Sequence, residues 1–218
     1  MSELKEKCGI VGIYGKNLPI SKLAFFALFS LQHRGQEASG ITTSDGKKFH
    51  THKGAGLVAQ VYKEKDIKNL KGYIGIGHNR YSTSGGGALD HAQPIINIGN
   101  NFALAHNGNL PSVKALEKFL SSKKMLLSNR SDSELIHDAI DFYLENGKSL
   151  AEAVEKVFPL ITGAFSMVMM DKNNLIGIRD TYGMRPLALG KIGRGYVIAS
   201  ETCALETIGA NFIREVNP

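Results

Sequence analysis

Hydrophobic periodicity changes twice along these 218 residues, and the order of the changes restricts the fold more than any composition figure. Gly9 to Tyr14, Gly40 to Thr43, Lys48 to His52, Tyr73 to His78 and Phe102 to His106 are short β-branched or aromatic runs that predict strands. The second and third meet at Asp45-Gly46, a hairpin turn signal. Ser21 to Gln32 carries a dense apolar face and ends at His33-Arg34-Gly35, which predicts a helix closed by glycine. The middle of the chain is helical in pattern. Pro111 to Phe119 follows Asn109, Asp132 to Leu144 places Leu135, Ile136, Ala139, Ile140 and Tyr143 at helical spacing, and Leu150 to Phe158 continues it. Strands return at Ala164 to Asp171, Leu175 to Arg179, Leu187 to Gly190 and Tyr196 to Ser200. Strands, then helices, then strands predict an α+β fold of two antiparallel sheets flanked by helices, not alternating βαβ units.

One compact domain accommodates the whole pattern, since no repeat or low-complexity linker interrupts it. With 43% hydrophobic and 21% charged residues the chain can build a core without covalent staples. Two distant cysteines, Cys8 and Cys203, and no secretory signal point to a reducing, cytoplasmic setting, with Cys203 expected to be a buried structural thiol. The most apolar stretch, Leu23 to Leu31, is much shorter than the ~20 residues a membrane span needs, so no membrane partner is expected. The net charge of +6 comes from lysines interleaved with acids, as in Lys63-Glu64-Lys65-Asp66, which predicts solvated surface and no nucleic-acid partner. His50 and His52 share a strand face, but no third ligand has suitable spacing, so no metal is expected in this chain. Met167, Met169 and Met170 read as core filling.

The charge-rich lead Met1 to Lys7 gives way abruptly to Cys8-Gly9-Ile10-Val11-Gly12-Ile13-Tyr14. A cysteine beside an apolar run is often a small buried hydrophobe. It is also what a cleavage site with a nucleophile behind it would look like, residues 1–7 being a propeptide. A freed α-amine titrates at about 7.7 to 8.0 and a thiol near 8.5, so an N-terminal Cys8 would carry its own base. While Lys7 is attached, that nitrogen is an amide and accepts no proton.

Further along, three segments offer what amide hydrolysis requires. His106-Asn107-Gly108 is either an Asn-Gly turn or a pair of donors, a side-chain NH2 and an unobstructed backbone N–H, for a tetrahedral oxyanion. Arg80, before the loop around Gly85-Gly86-Gly87 that reads as mobile, is either a surface ion-pair member or a bidentate clamp for a carboxylate. Asp132, in Arg130-Ser131-Asp132-Ser133-Glu134, is either part of a helix cap or the receiver of an ammonium. Together, Arg80 and Asp132 would complement an amino-acid zwitterion.

Cys8-Gly9-Ile10-Val11-Gly12, His33-Arg34-Gly35-Gln36, Arg80 within His78-Asn79-Arg80-Tyr81-Ser82-Thr83, His106-Asn107-Gly108-Asn109-Leu110 and Ser131-Asp132-Ser133-Glu134 resemble the class II glutamine amidotransferases. The order and spacing agree from Cys8 onward, so 8–218 is identified as a glutaminase domain of this class. Gln36, Arg179-Asp180-Thr181-Tyr182-Gly183-Met184-Arg185-Pro186-Leu187 and Ala199-Ser200-Glu201-Thr202-Cys203 are similar to the branch that passes ammonia to phosphoribosyl pyrophosphate.

The resemblance implies a four-layer αββα sandwich, Cys8 as nucleophile, Asn107 and Gly108 as oxyanion hole, Arg80 and Asp132 gripping glutamine, and Arg34 organising the site near Cys8. It implies that the loop after Arg80 closes over glutamine. Ammonia released through a Cys8 thioester would convert phosphoribosyl pyrophosphate to 5-phosphoribosylamine, the first step of purine synthesis. That second step belongs to a C-terminal phosphoribosyltransferase domain with Mg²⁺ and, in one branch, a 4Fe–4S cluster, in an enzyme expected to be a homo-oligomer. None of that domain falls within these residues, and two cysteines cannot supply four thiolates. A glutaminase serving another acceptor, such as aminosugar synthesis, and a catalytically silent glutamine-binding module are the alternatives.

Overall fold

The computed structural model describes residues 8–81, 89–97, 99, 102–125, 127–128 and 130–218. The expected propeptide, residues 1–7, and the expected mobile loop at Gly85-Gly86-Gly87 lie outside the described residues.

In chain order the elements are β1 (Gly9–Tyr14), α1 (Ile20–Ser30), β2 (Ala38–Ser44), β3 (Phe49–Ala55), α2 (Val58–Val61), α3 (Glu64–Asn69), β4 (Ile74–Arg80), β5 (Ile95–Asn97) and β6 (Phe102–Ser112). They continue as α4 (Lys114–Ser122), α5 (Asp132–Glu145), α6 (Leu150–Val157), β7 (Thr162–Met170), β8 (Leu175–Arg179), β9 (Ala188–Ile192), β10 (Gly195–Ala199), α7 (Thr202–Thr207) and β11 (Asn211–Glu215). One sheet has the order β11-β9-β10-β1-β4-β2-β3, the other β5-β6-β7-β8, and their pairings are antiparallel. The expected α+β class and four-layer αββα architecture are what the chain adopts.

Strand alternation builds the layers. In β1, Val11 and Ile13 pack under α1, α2, α3 and α7, whereas Ile10 faces the other sheet. In β6 and β7, Phe102, Leu104, Phe165, Met167 and Met169 pack under α4, α5 and α6, while Ala103, Ala105, Val168 and Met170 fill the gap between sheets. The methionines are therefore core filling on both faces of β7. Small residues on β6 let the sheets approach, and alternation with period two sends each strand's residues into two separate cores.

Three local expectations are corrected. Helix α1 ends at Ser30 and passes into a 3₁₀ turn over Gln32–Arg34, and Gly35 is extended (φ −166°), so glycine does not close the helix. Close approach explains Gly35 instead: a Cβ there would stand 2.6 Å from the Arg80 carbonyl carbon. Pro111 and Ser112 extend β6, and the following helix begins only at Lys114. Asn107-Gly108 is no turn, because β6 runs through it in register with β7, Asn107 opposite Ser166 and Gly108 opposite Phe165. The strands β5 and β11 and the short helices α2, α3 and α7 carried too few periodic residues to be expected.

Candidate active site

The gap between the sheets turns polar at one end. Along β4, Ile74 and Ile76 are in the dry inter-sheet core, and the same face continues through His78 to Arg80. On β6 the face of Ala103 and Ala105 continues to Asn107, and Cys8 immediately precedes β1. These strand ends open onto a cleft of about 330 Å³ lined by Cys8, Arg80, Gly108 and Asp132. Four residues predicted from separate segments thus share one cavity. Asn107 is fully buried beside it, and Arg34 is buried behind Cys8.

Cys8 is held at both ends by one residue. Its N–H donates to the Arg34 carbonyl at 2.9 Å, and Arg34 Nε donates to the Cys8 carbonyl at 2.8 Å. The backbone there has φ +63°, a conformation rarely adopted by a residue with a Cβ and concentrated at functional sites. Burial pushes the thiol pKa up, although the Tyr81 backbone N–H and the charges of Arg80, Arg34 and Arg185 pull it back. With burial winning, the sulfur is a thiol at neutral pH and needs a base to attack.

Asn107 Nδ2 lies 3.4 Å from Ser166 Oγ, and Asn107 Oδ1 has no hydrogen-bond partner among the described residues. Turning the amide by half a revolution would let Ser166 donate to Oδ1 and release Nδ2 toward the site. Gly108 admits no side chain: a Cβ would stand 2.6 Å from His106 Nε2 and 2.7 Å from the Ala164 carbonyl oxygen. Just beyond, the β6–β7 register shifts between Asn109 and Ser112, an irregularity of the kind found beside active sites.

Arg80 is buried, and its Nε donates to Glu37 Oε2 at 3.0 Å. That pair fixes the guanidinium's plane from behind, which a bidentate clamp requires. Asp132 is freed from capping because Ser131 is the N-cap of α5 and forms a capping box with Glu134. The first-turn position of Asp132 places it at the cleft wall, where Oδ2 accepts from the Leu110 N–H at 3.1 Å and Oδ1 from the Ser133 N–H at 2.7 Å. Oδ1 also lies 3.3 Å from the Ser133 hydroxyl, so Oδ2 is the oxygen with a lone pair to spare for an ammonium. A buried guanidinium and a carboxylate therefore stand in one cleft.

Several lining residues went unrecognised as functional in the sequence. His106 Nδ1 bonds Ser133 Oγ at 2.8 Å, and its backbone N–H donates to Gln93 Oε1 at 2.6 Å. Gln93 Nε2 also donates to Ser133 Oγ at 3.2 Å, so Gln93 ties β6 to the start of α5. Arg185 adds a positive charge felt by both Cys8 and His106. The segment carrying it is shaped by buried Asp180, which accepts the N–H groups of Phe165, Tyr182 and Met184. His106, Ser133 and Arg185 lie within motifs that stand out in the sequence, whereas Gln93 belongs to none. Cys203 is half-buried rather than buried, and no group of three or more His, Cys, Asp or Glu among the described residues could hold a metal ion.

His78 gives the site a pH signature. It is fully enclosed, donates from Nε2 to the His106 carbonyl at 3.2 Å, and burial holds its pKa down at about 3. The unfolded imidazole titrates near 6.5, so the neutral folded form contributes its full stability above about pH 6.5 and loses it progressively toward pH 3. Melting temperature should fall across that window, and His78→Gln, which cannot take up the proton, should show a flatter profile. Equal slopes in thermal melts of the two proteins would contradict this account.

Residues 78–207 match the family model described as glutamine amidotransferase domain. The chain is 41% identical over 214 residues to the amidophosphoribosyltransferase of Methanocaldococcus jannaschii, covering 97% of this chain and 45% of that protein. It is 37% identical over 219 residues to that of Bacillus subtilis, covering 99% of this chain and 45% of the relative. Among solved structures, the B. subtilis glutamine phosphoribosylpyrophosphate amidotransferase complexed with ADP and GMP superposes with a TM-score of 0.85 at 36% identity. That match covers 97% of this chain and 46% of the other. The chain thus spans about 45% of the length of these relatives.

Proposed function

Because the chain belongs to the glutamine amidotransferase domain family, we propose that its cleft hydrolyses glutamine to glutamate and ammonia, and that the ammonia serves an amidophosphoribosyltransferase. The observation that carries this is the convergence of Cys8, Arg80, Gly108 and Asp132 on one cavity from four separate segments of the chain. Arg80 takes the α-carboxylate of glutamine and Asp132 its ammonium, which directs the side-chain amide toward Cys8. The freed Cys8 amine removes the thiol proton, and sulfur attacks the amide carbon. Asn107 Nδ2 and the Gly108 N–H receive the oxyanion. The amine returns the proton to the departing ammonia, leaving a γ-glutamyl thioester that water hydrolyses under the same base. Glutamine plus water gives glutamate plus ammonia.

Phosphoribosyl pyrophosphate would be met by a C-terminal phosphoribosyltransferase domain outside residues 8–218, with Mg²⁺ and, in one branch, a 4Fe–4S cluster. Cytoplasmic location and homo-oligomerisation of the full-length enzyme belong to the same reading. The identity of 37% to 41% with amidophosphoribosyltransferases over almost the whole chain favours this acceptor over an aminosugar precursor. Among the described residues no helix is long and apolar enough to cross a membrane.

The test is an intact mass and a glutamine assay on one sample. Protein beginning at Cys8 should release glutamate, and the full-length gene product should release pyrophosphate from phosphoribosyl pyrophosphate when given glutamine. Glutamine binding without glutamate release, in protein whose N-terminus is Cys8, would instead identify a silent binding module.

A further inference from the structure

Ser200 and Glu201 do not line the cleft, yet both hold the segment that carries the nucleophile. Ser200 brackets Ile10: its Oγ accepts the Ile10 N–H at 3.0 Å, and its own N–H donates to the Ile10 carbonyl at 3.0 Å. One residue on, Glu201 Oε1 accepts from Arg34 Nη1. Arg34 is only 1% exposed, and its Nε and carbonyl are the groups that fix the Cys8 carbonyl and nitrogen. A guanidinium this deeply enclosed needs a counter-charge, and its planar fork takes up whatever orientation that carboxylate dictates. The other Glu201 oxygen accepts from Cys203 Sγ at 3.5 Å and pairs with His33 Nε2 at 3.0 Å on the solvent side.

We propose that Glu201 is a positioning residue for the glutaminase reaction: its carboxylate neutralises and orients Arg34, which in turn fixes both ends of Cys8. The inference rests on the glutaminase reading of the cleft. When Cys8 is N-terminal, the Arg34 carbonyl takes one N–H of the amine and so turns its lone pair toward the sulfur. Misorienting Arg34 misplaces that base without touching the groups that grip glutamine. The effect should therefore fall on kcat and leave KM alone.

Steady-state glutamine hydrolysis by Glu201→Gln and Glu201→Ala, made in protein whose N-terminus is Cys8, tests this. Both variants should lose about 10- to 100-fold in kcat, as when the partner orienting a reactive group is removed, with KM within about twofold. Glu201→Gln should lose less, since it keeps an acceptor oxygen for Arg34. Cys203→Ser, which alters the other contact to Glu201 and leaves Arg34 paired, should match the parent protein. Unchanged kcat in both Glu201 variants overturns the inference. So does a rise in KM that accompanies the fall in kcat and an early thermal melt, because that marks a scaffold residue. Absence of glutamate release from the parent protein would sink the glutaminase reading instead, so the two failures are distinguishable.

Discussion

Replacing Cys8 with alanine should give a folded protein that releases no measurable glutamate from glutamine, a loss on the order of 10⁴- to 10⁶-fold in kcat. The size follows from the chemistry. Neither Asn107 nor Gly108 can attack a carbonyl, and the donors that remain stabilise an oxyanion that no longer forms. Folding should survive because residue 8 precedes β1 and is held through its backbone, by the Arg34 carbonyl and Arg34 Nε, not through sulfur. A chain in which Lys7 still acylates Cys8 should be equally silent. Its sulfur is present, but burial keeps the thiol protonated and the adjacent nitrogen is an amide. Glutamate formation by samples of defined intact mass, alongside thermal melts, separates these cases. Turnover by protein that retains residues 1–7 would eliminate the amine as base.

Much of this site was legible because its residues end strands whose apolar alternation is strong. Ile74 and Ile76 fix the face on which Arg80 must emerge, and Ala103 and Ala105 do the same for Asn107. The helix carrying Asp132 was legible from its spacing of Leu135, Ile136, Ala139 and Ile140, and the Ser131 capping box frees Asp132 for the cleft. What sequence could not supply were roles set by distant contacts. Gly35 resembled a helix terminator, and only its 2.6 Å approach to the Arg80 backbone gives its function. Gln93 has no motif, yet it joins His106 to Ser133 across two elements. Asn-Gly is a strong turn signal that leaves Asn107-Gly108 open in sequence between a turn and a pair of donors, and the pairing of β7 alongside it excludes the turn. Local propensity lost there to tertiary pairing, as happens where function places unusual residues in a strand.

Asn107→Ala should lower kcat for glutamine hydrolysis by about 10²- to 10³-fold and leave KM nearly unchanged. The oxyanion exists only after attack, so a donor aimed at it stabilises the transition state more than bound glutamine. A structural explanation must be weighed first, because Asn107 is fully buried and its amide meets Ser166 at 3.4 Å. Leaving Ser166 Oγ unpaired costs about 1 to 3 kcal/mol, which lowers the melting temperature of a domain this size by roughly 2 to 12 °C. The rate effect corresponds to about 2.7 to 4 kcal/mol and should persist at temperatures where the variant is fully folded. Asn107→Asp keeps the volume and an oxygen for Ser166 but sets a negative charge beside the developing oxyanion, so it should be no more active than the alanine variant. Gly108 cannot be probed this way, since any side chain meets His106 and the Ala164 carbonyl before it informs on the N–H. A loss below tenfold in Asn107→Ala, measured well under its melting point, would remove Asn107 from the oxyanion hole and leave the Gly108 and Tyr81 backbone N–H groups as the donors near Cys8.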